Sequence, residues 1–190
     1  MLLGLKASTD ERQIRDRLQY HPDVFEFHLT EADFTASGWQ HFLKMVAWVQ
    51  SQVPTVVFHH PMRFRGQRNE LAMNPTKYPA RYDFLMTSSV KLMTLAKKVN
   101  ATALIHGGYR VDTPGDYAGW RDVAKAQDVA LARMIAFAQE APGHVYLKTR
   151  CRQSLGMAIL RLRRVCCAGG YHWLMILAML LSRYTGIMSD

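Results

Sequence analysis

Three histidines carry the chemistry that can be read from this chain. The stretch Thr55–Pro61 (T-V-V-F-H-H-P) reads as a buried strand that ends on His59 and His60 and is stopped by a proline. A second apolar run, Ala101–Ile105, ends on His106 and breaks at Gly107-Gly108. Side chains alternate along a strand, so Val56, Phe58 and His60 fall on one face and Val57 and His59 on the other. Imidazole is a metal ligand and an acid/base group near neutral pH. Two strands that each end on a histidine predict a site on one rim of a parallel sheet. A lone histidine at a strand end is as often a polar cap; the repetition at matching places favours a site.

The elements that position these residues alternate. Leu2–Ala7 reads as a strand, and Ser8-Thr9-Asp10-Glu11 as the cap of a helix reaching about Tyr20. Val24–Leu29 is the next strand, with Glu26 and His28 on one face. Ser37 caps a helix to about Gln52, on which Trp39, Phe42, Leu43, Val46 and Val49 form an apolar stripe. Asp83–Val99 is a third helix. Thr113-Pro114-Gly115-Asp116 reads as the start of a fourth, ending near Glu140, and His144–Leu147 as a fifth strand. This βα order means a parallel sheet, either doubly wound or a (β/α)8 barrel. No glycine-rich loop follows the first strand, which argues against a nucleotide-binding doubly wound fold.

Pro61–Tyr82 is the longest irregular segment and reads as a lid or binding loop. Arg63, Arg65, Arg68, Lys77 and Arg81 stand there against one acid, Glu70, a balance that suits a phosphate-bearing ligand or a solvated basic loop. The net charge of +9 is a weaker guide. From Lys148 onward there are seven basic residues and one acid, against 17 and 14 before it. The mildly basic body speaks against specific nucleic-acid binding. All three cysteines lie in the tail, so no disulfide framework is expected, and the short apolar N-terminus points to a cytoplasmic protein. Trp173–Leu181 is too short to span a bilayer, although a basic segment of this kind could lie in a membrane interface.

Strand order, H-H-P at 59–61, L-I-H-G-G at 104–108 and H-V-Y-L at 144–147 together resemble the xylose-isomerase-like TIM barrels. That superfamily includes sugar (phosphate) isomerases and epimerases and endonuclease IV. The resemblance covers about residues 1–147 and implies a partial (β/α)8 barrel of about four βα units plus a fifth strand. It implies a divalent metal (Mn, Zn or Mg) on His60 and His106. It further implies a sugar or sugar phosphate near His59, Arg63 and Arg65, beneath a closing Pro61–Tyr82 loop. The competing activity is cleavage at abasic DNA sites. A third reading is a non-catalytic fragment that self-associates through open barrel edges.

The family's fifth strand ends leucine-glutamate-asparagine, with the glutamate on the metal. Here Leu147 is followed by Lys148 and Thr149, and the character of the chain changes over 148–190. One lost G before the Lys148 codon accounts for this. Restoring it rereads Lys148-Thr149-Arg150-Cys151 as Glu-Asn-Ala-Val and allows Met175–Met179 to read Asp-Ile-Ser-His. The expectation is a frame-shifted chain that binds metal weakly or not at all.

Overall fold

The computed structural model describes residues 2–108 and 117–149. Five strands form one sheet: β1 (Gly4–Ala7), β2 (Val24–His28), β3 (Thr55–His59), β6 (Thr102–Gly108) and β7 (Val145–Thr149). All neighbours are parallel, and their spatial order is their order in the chain. A short antiparallel hairpin, β4 (Arg63–Phe64) and β5 (Gln67–Arg68), stands apart from this sheet. The crossovers carry α1 (Glu11–Leu18), α2 (Ala36–Gln50), α3 (Pro79–Lys98) and α4 (Val123–Glu140). The alternation read from the sequence is therefore present, and Met1–Arg150 forms one compact unit. No helix among the described residues is long and apolar enough to cross a membrane.

Alternation along the strands divides the sheet chemically. Phe25, Phe27, Val56, Phe58, Ala103, Ile105 and Val145 are buried. Phe42 of α2 packs edge-on against Phe27 and Phe58, at 5.4 and 5.3 Å between ring centres. This aromatic contact ties the helical layer to the middle of the sheet. The opposite face carries Lys6, Glu26, His28, His59, His106 and Lys148, placed side by side by the register.

Several boundaries differ from the sequence reading for local reasons. Asp10 caps α1 by accepting from the Gln13 amide, and Thr35 rather than Ser37 caps α2 by accepting from Gly38. Helix α3 begins four residues early because Pro79 takes its first turn, where its missing N–H costs nothing. Strand β6 runs through Gly107-Gly108 and pairs with β7 across an irregularity between His106 and Gly108. Helix α4 starts only at Val123, where Asp122 accepts from the Ala124 and Lys125 amides. Thr113–Asp116, read above as that start, and the tail from Arg150 onward lie outside the described residues.

Pro61–Tyr82 is not the free loop expected from its composition. Its tip is the β4–β5 hairpin, closed by Arg65 and Gly66, both at positive φ. That conformation gives a tight two-residue turn matched to strand twist. The following segment is buried: Asn69, Leu71 and Ala72 are 0% exposed and Glu70 5%. The amides of Leu71 and Ala72 donate to His106 and Gly107 carbonyls at 3.0 and 3.1 Å. Arg133 of α4 donates to the Leu71 and Met73 carbonyls at 2.6 and 2.8 Å, and Trp120 Nε1 donates to Ala72 at 2.7 Å. Burial and these bonds fasten the segment to β6, so a hinged lid does not describe residues 69–73.

Replacing Arg133 with Met keeps the stem but removes two charge-assisted bonds to otherwise buried carbonyls. The expected loss is about 2–4 kcal/mol in urea unfolding, with faster hydrogen exchange at the Leu71 and Ala72 amides. Unchanged stability and unchanged protection would show that Arg133 does not hold this segment.

Candidate functional site

The C-terminal ends of β2, β3 and β6 bring three side chains into a hydrogen-bonded row. Glu26 pairs in register with Val57, and His28 with His59, so Glu26 and His59 rise from adjacent strands on the same face. Glu26 Oε1 lies 2.6 Å from His59 Nδ1. His59 Nε2 lies 2.7 Å from His106 Nε2, with the two rings at 24° to one another. Lys6 completes the row from β1, its Nζ 2.8 Å from the same Glu26 oxygen. His59 and His106 are 4% and 3% exposed.

The partners assign the tautomers. Lys6 Nζ also stands 3.2 Å from His59 Nδ1, but the Glu26 oxygen at 2.6 Å is the nearer partner and only accepts, so Nδ1 carries a proton and donates to Glu26. One proton then lies between His59 Nε2 and His106 Nε2; in the neutral pair it stays on His106, which donates to His59. Glu26 is held down to about 2 by the hydrogen bond from His59, with Lys6 adding to the effect against the opposing pull of burial. The carboxylate therefore stays ionised through the physiological range. It orients His59 and would stabilise positive charge on the pair, as the carboxylate of a catalytic triad does for its histidine. His28 stands edge-on to His59 at 5.4 Å; burial and then Lys6 lower its pKa.

His60 does not join this row. Its ring lies on the other side of β3, where Nε2 meets Ser88 Oγ of α3 at 2.7 Å. Ser88 gives its own proton to the Phe84 carbonyl at 2.5 Å, so His60 Nε2 is the donor. Phe34 and Phe84 flank the ring. Burial pushes His60 down to about 3, with the charges of His106 and His59 adding to the effect. Of the pair expected to share a metal, His60 is set against Ser88 and His106 against His59. Adjacent strand residues face opposite ways, and the partner of His106 is His59.

The other expected residues fall elsewhere. Arg63 and Arg65 sit on the exposed hairpin. Arg63 donates to the Gly66 carbonyl, the Arg65 guanidinium lies over Phe64, and the Arg65 amide donates to Glu31. Glu26 is the main site residue that sequence reasoning left unassigned. Its shared face with His28 was legible; which face turned from the helices was not.

The donors present do not fit a divalent metal. Two imidazole nitrogens on one tetrahedral ion stand roughly 3.3 Å apart, wider than the direct His59–His106 contact. Glu26 already serves Lys6 and His59, and β7 places Lys148 in register beside His106. Among the described residues no group of three or more His, Cys, Asp or Glu side chains could hold a metal ion.

Acid sensitivity follows from the two depressed groups. His60 takes up a proton in the unfolded chain near its ordinary 6.5 but in the folded chain only near 3. Its contribution is complete above 6.5 and is lost as pH falls toward 3. Glu26 adds a loss only below its ordinary 4.5. Between pH 7 and 5, urea unfolding of the wild type should therefore lose about 2 kcal/mol more than that of His60→Gln. Equal losses in the two proteins would contradict the buried neutral ring.

No family model matches this chain, and comparison with curated proteins and with solved structures returns no match.

Proposed function

We propose that this chain is a sugar (phosphate) isomerase/epimerase-like protein built on the first five strands of a (β/α)8 barrel, with its site impaired as written. The reading rests chiefly on the Glu26–His59–His106 row at 2.6 and 2.7 Å. Support for the barrel comes from a parallel sheet that adds strands in chain order without reversal. A polar face turned away from the helical layer is what a barrel interior would present at the C-terminal ends of its strands.

Isomerisation and epimerisation of a sugar both require a proton to leave a carbon next to a carbonyl and to return to a different position or face. The paired rings suit that task. His106, whose Nε2 carries the shared proton, would take the substrate proton at Nδ1 and pass its Nε2 proton to His59, while Glu26 would hold His59 in the receiving tautomer and balance the imidazolium that forms. Lys6 keeps Glu26 ionised and offers a positive charge beside the row.

Two observations favour impairment. Both rings are nearly sealed from solvent, so a substrate atom has no open approach to either. Lys148 pairs in register with His106 at the position where the resembled family carries a metal-binding glutamate. A cation there opposes a divalent ion, whereas a carboxylate would add the hard anionic donor that two imidazoles lack.

Metal titration tests this reading. The 190-residue chain should show no stoichiometric Mn or Zn binding at micromolar concentration, and Lys148→Glu should tighten binding at least tenfold. The frame-restored protein should turn over ketose sugars and leave an abasic duplex intact. Stoichiometric micromolar metal on the chain as written, lost with His106→Ala, would refute the impairment; nicking without ketose turnover would refute the isomerase reading.

A further inference from the structure

His28 has no part in the roles given above. It closes β2 on the polar face, opposite His59 in register. Its ring stands edge-on to His59, with 5.4 Å between centres and 79° between planes. The other histidines at this end of the sheet are buried, whereas His28 is half-buried. They are also engaged: His59 by Glu26 and His106, and His60 by Ser88. Neither ring nitrogen of His28 has a hydrogen-bond partner among the described residues. One side of this ring is packed and the other is open.

The charged and titratable groups around His28 come from four elements. Lys6 of β1, Glu26 of β2, Asp33 of the turn Glu31–Phe34 and His59 of β3 all act on its charge. Burial, then Lys6 and His59, hold the imidazole below its ordinary 6.5, against the pull of the two carboxylates. The ring is therefore neutral, and a base, at physiological pH. Asp33 is committed to the Thr9 hydroxyl and the Thr30 amide, at 2.7 Å each. Lys6 has a side chain 45% exposed, with its Nζ held 2.8 Å from Glu26. The open side of the polar face thus presents a neutral imidazole and an ammonium beside an ionised carboxylate. Enolisation needs a base for the carbon-bound proton and a positive charge for the oxygen. A divalent ion can supply that charge elsewhere; the donors here do not fit one, and an ammonium already stands beside them.

We propose that His28 is a further catalytic base and, with Lys6, carries metal-independent enolisation of an open-chain ketose or ketose phosphate. His28 takes a proton from the hydroxyl-bearing carbon next to the carbonyl. The electron pair of that C–H bond forms the carbon–carbon double bond, and the carbonyl pair moves onto oxygen. The Lys6 ammonium binds the oxygen, and Glu26 balances the imidazolium. The imidazolium then returns a proton to carbon. Return to the same carbon gives exchange with solvent. Return to the former carbonyl carbon, with a hydroxyl proton passing between the two oxygens, gives the isomer. The proposal rests on the isomerase reading for the identity of the substrate. It differs from that reading in using neither of the sealed rings.

The 190-residue chain tests the proposal as it stands. In deuterated buffer with a chelator, fructose 6-phosphate should exchange the protons beside its carbonyl, followed by NMR, faster than with N-acetylhistidine at equal concentration. The rate should rise with pH through an inflection below 6.5, as His28 gives up its proton. His28→Gln should slow exchange roughly a hundredfold, the scale of general base catalysis. Because the ring makes no hydrogen bond to the described residues, that variant should unfold in urea as the wild type does. Diethyl pyrocarbonate should modify His28 ahead of His59, His60 and His106, and fructose 6-phosphate should retard it; this readout needs neither turnover nor a variant. Exchange no faster than with N-acetylhistidine, or undiminished in His28→Gln, would overturn the proposal. Protection of His28 without exchange would make the ring a binding contact and overturn its catalytic role. Exchange without any isomer from the frame-restored protein would sink the isomerase reading and leave His28 in place. Full isomerase turnover by frame-restored His28→Gln would do the reverse.

Discussion

The hydrogen bond from His59 to Glu26 is the contact on which the candidate site depends. It joins adjacent strands, keeps a half-buried carboxylate ionised, and fixes the one tautomer of His59 that turns Nε2 toward His106. Strand parity makes it available. Residues 26 and 59 rise on the same side because β2 and β3 run parallel in register, with His28 opposite His59. Shifting either strand by one residue would bring Phe25 or Phe58 to this face and send the polar row into the aromatic core.

The same parity explains why neighbouring histidines have unrelated environments. His59 meets a carboxylate and a second imidazole on the polar face. His60 meets a serine hydroxyl and phenylalanine rings beneath α3 and is kept neutral by burial. One residue of displacement along the chain separates a hydrogen-bonded imidazole pair from a packing residue. Farther along, the chain fastens residues 69–73 to β6 through Arg133 and Trp120, so that the hairpin ahead of them is presented from a rigid base.

Much of this was legible in the sequence. The alternation of apolar strands and amphipathic helices read correctly as a parallel sheet, and the strand-end histidines 59 and 106 do come together. The split between Phe58 and His59 also followed from period two. What failed had local causes. Both His59 and His60 lie on a strand end, and only the side from which the helices pack decides which one faces the site. Arg133 and Trp120 lie some sixty and fifty residues from the backbone they hold, a separation that composition cannot bridge. Lys148 was visible as a departure from the pattern of the resembled family, but its place beside His106 required the register of β6 with β7.

The most direct test is the nitrogen spectrum of the imidazole rings in isotopically labelled protein at pH 8. The account requires a proton on His59 Nδ1 and on His60 Nε2. It further requires that Glu26→Gln and His106→Gln shift the His59 nitrogens while leaving those of His60 in place. A proton on His59 Nε2 with a bare Nδ1, or a His59 ring that does not respond when His106 is replaced, would contradict it.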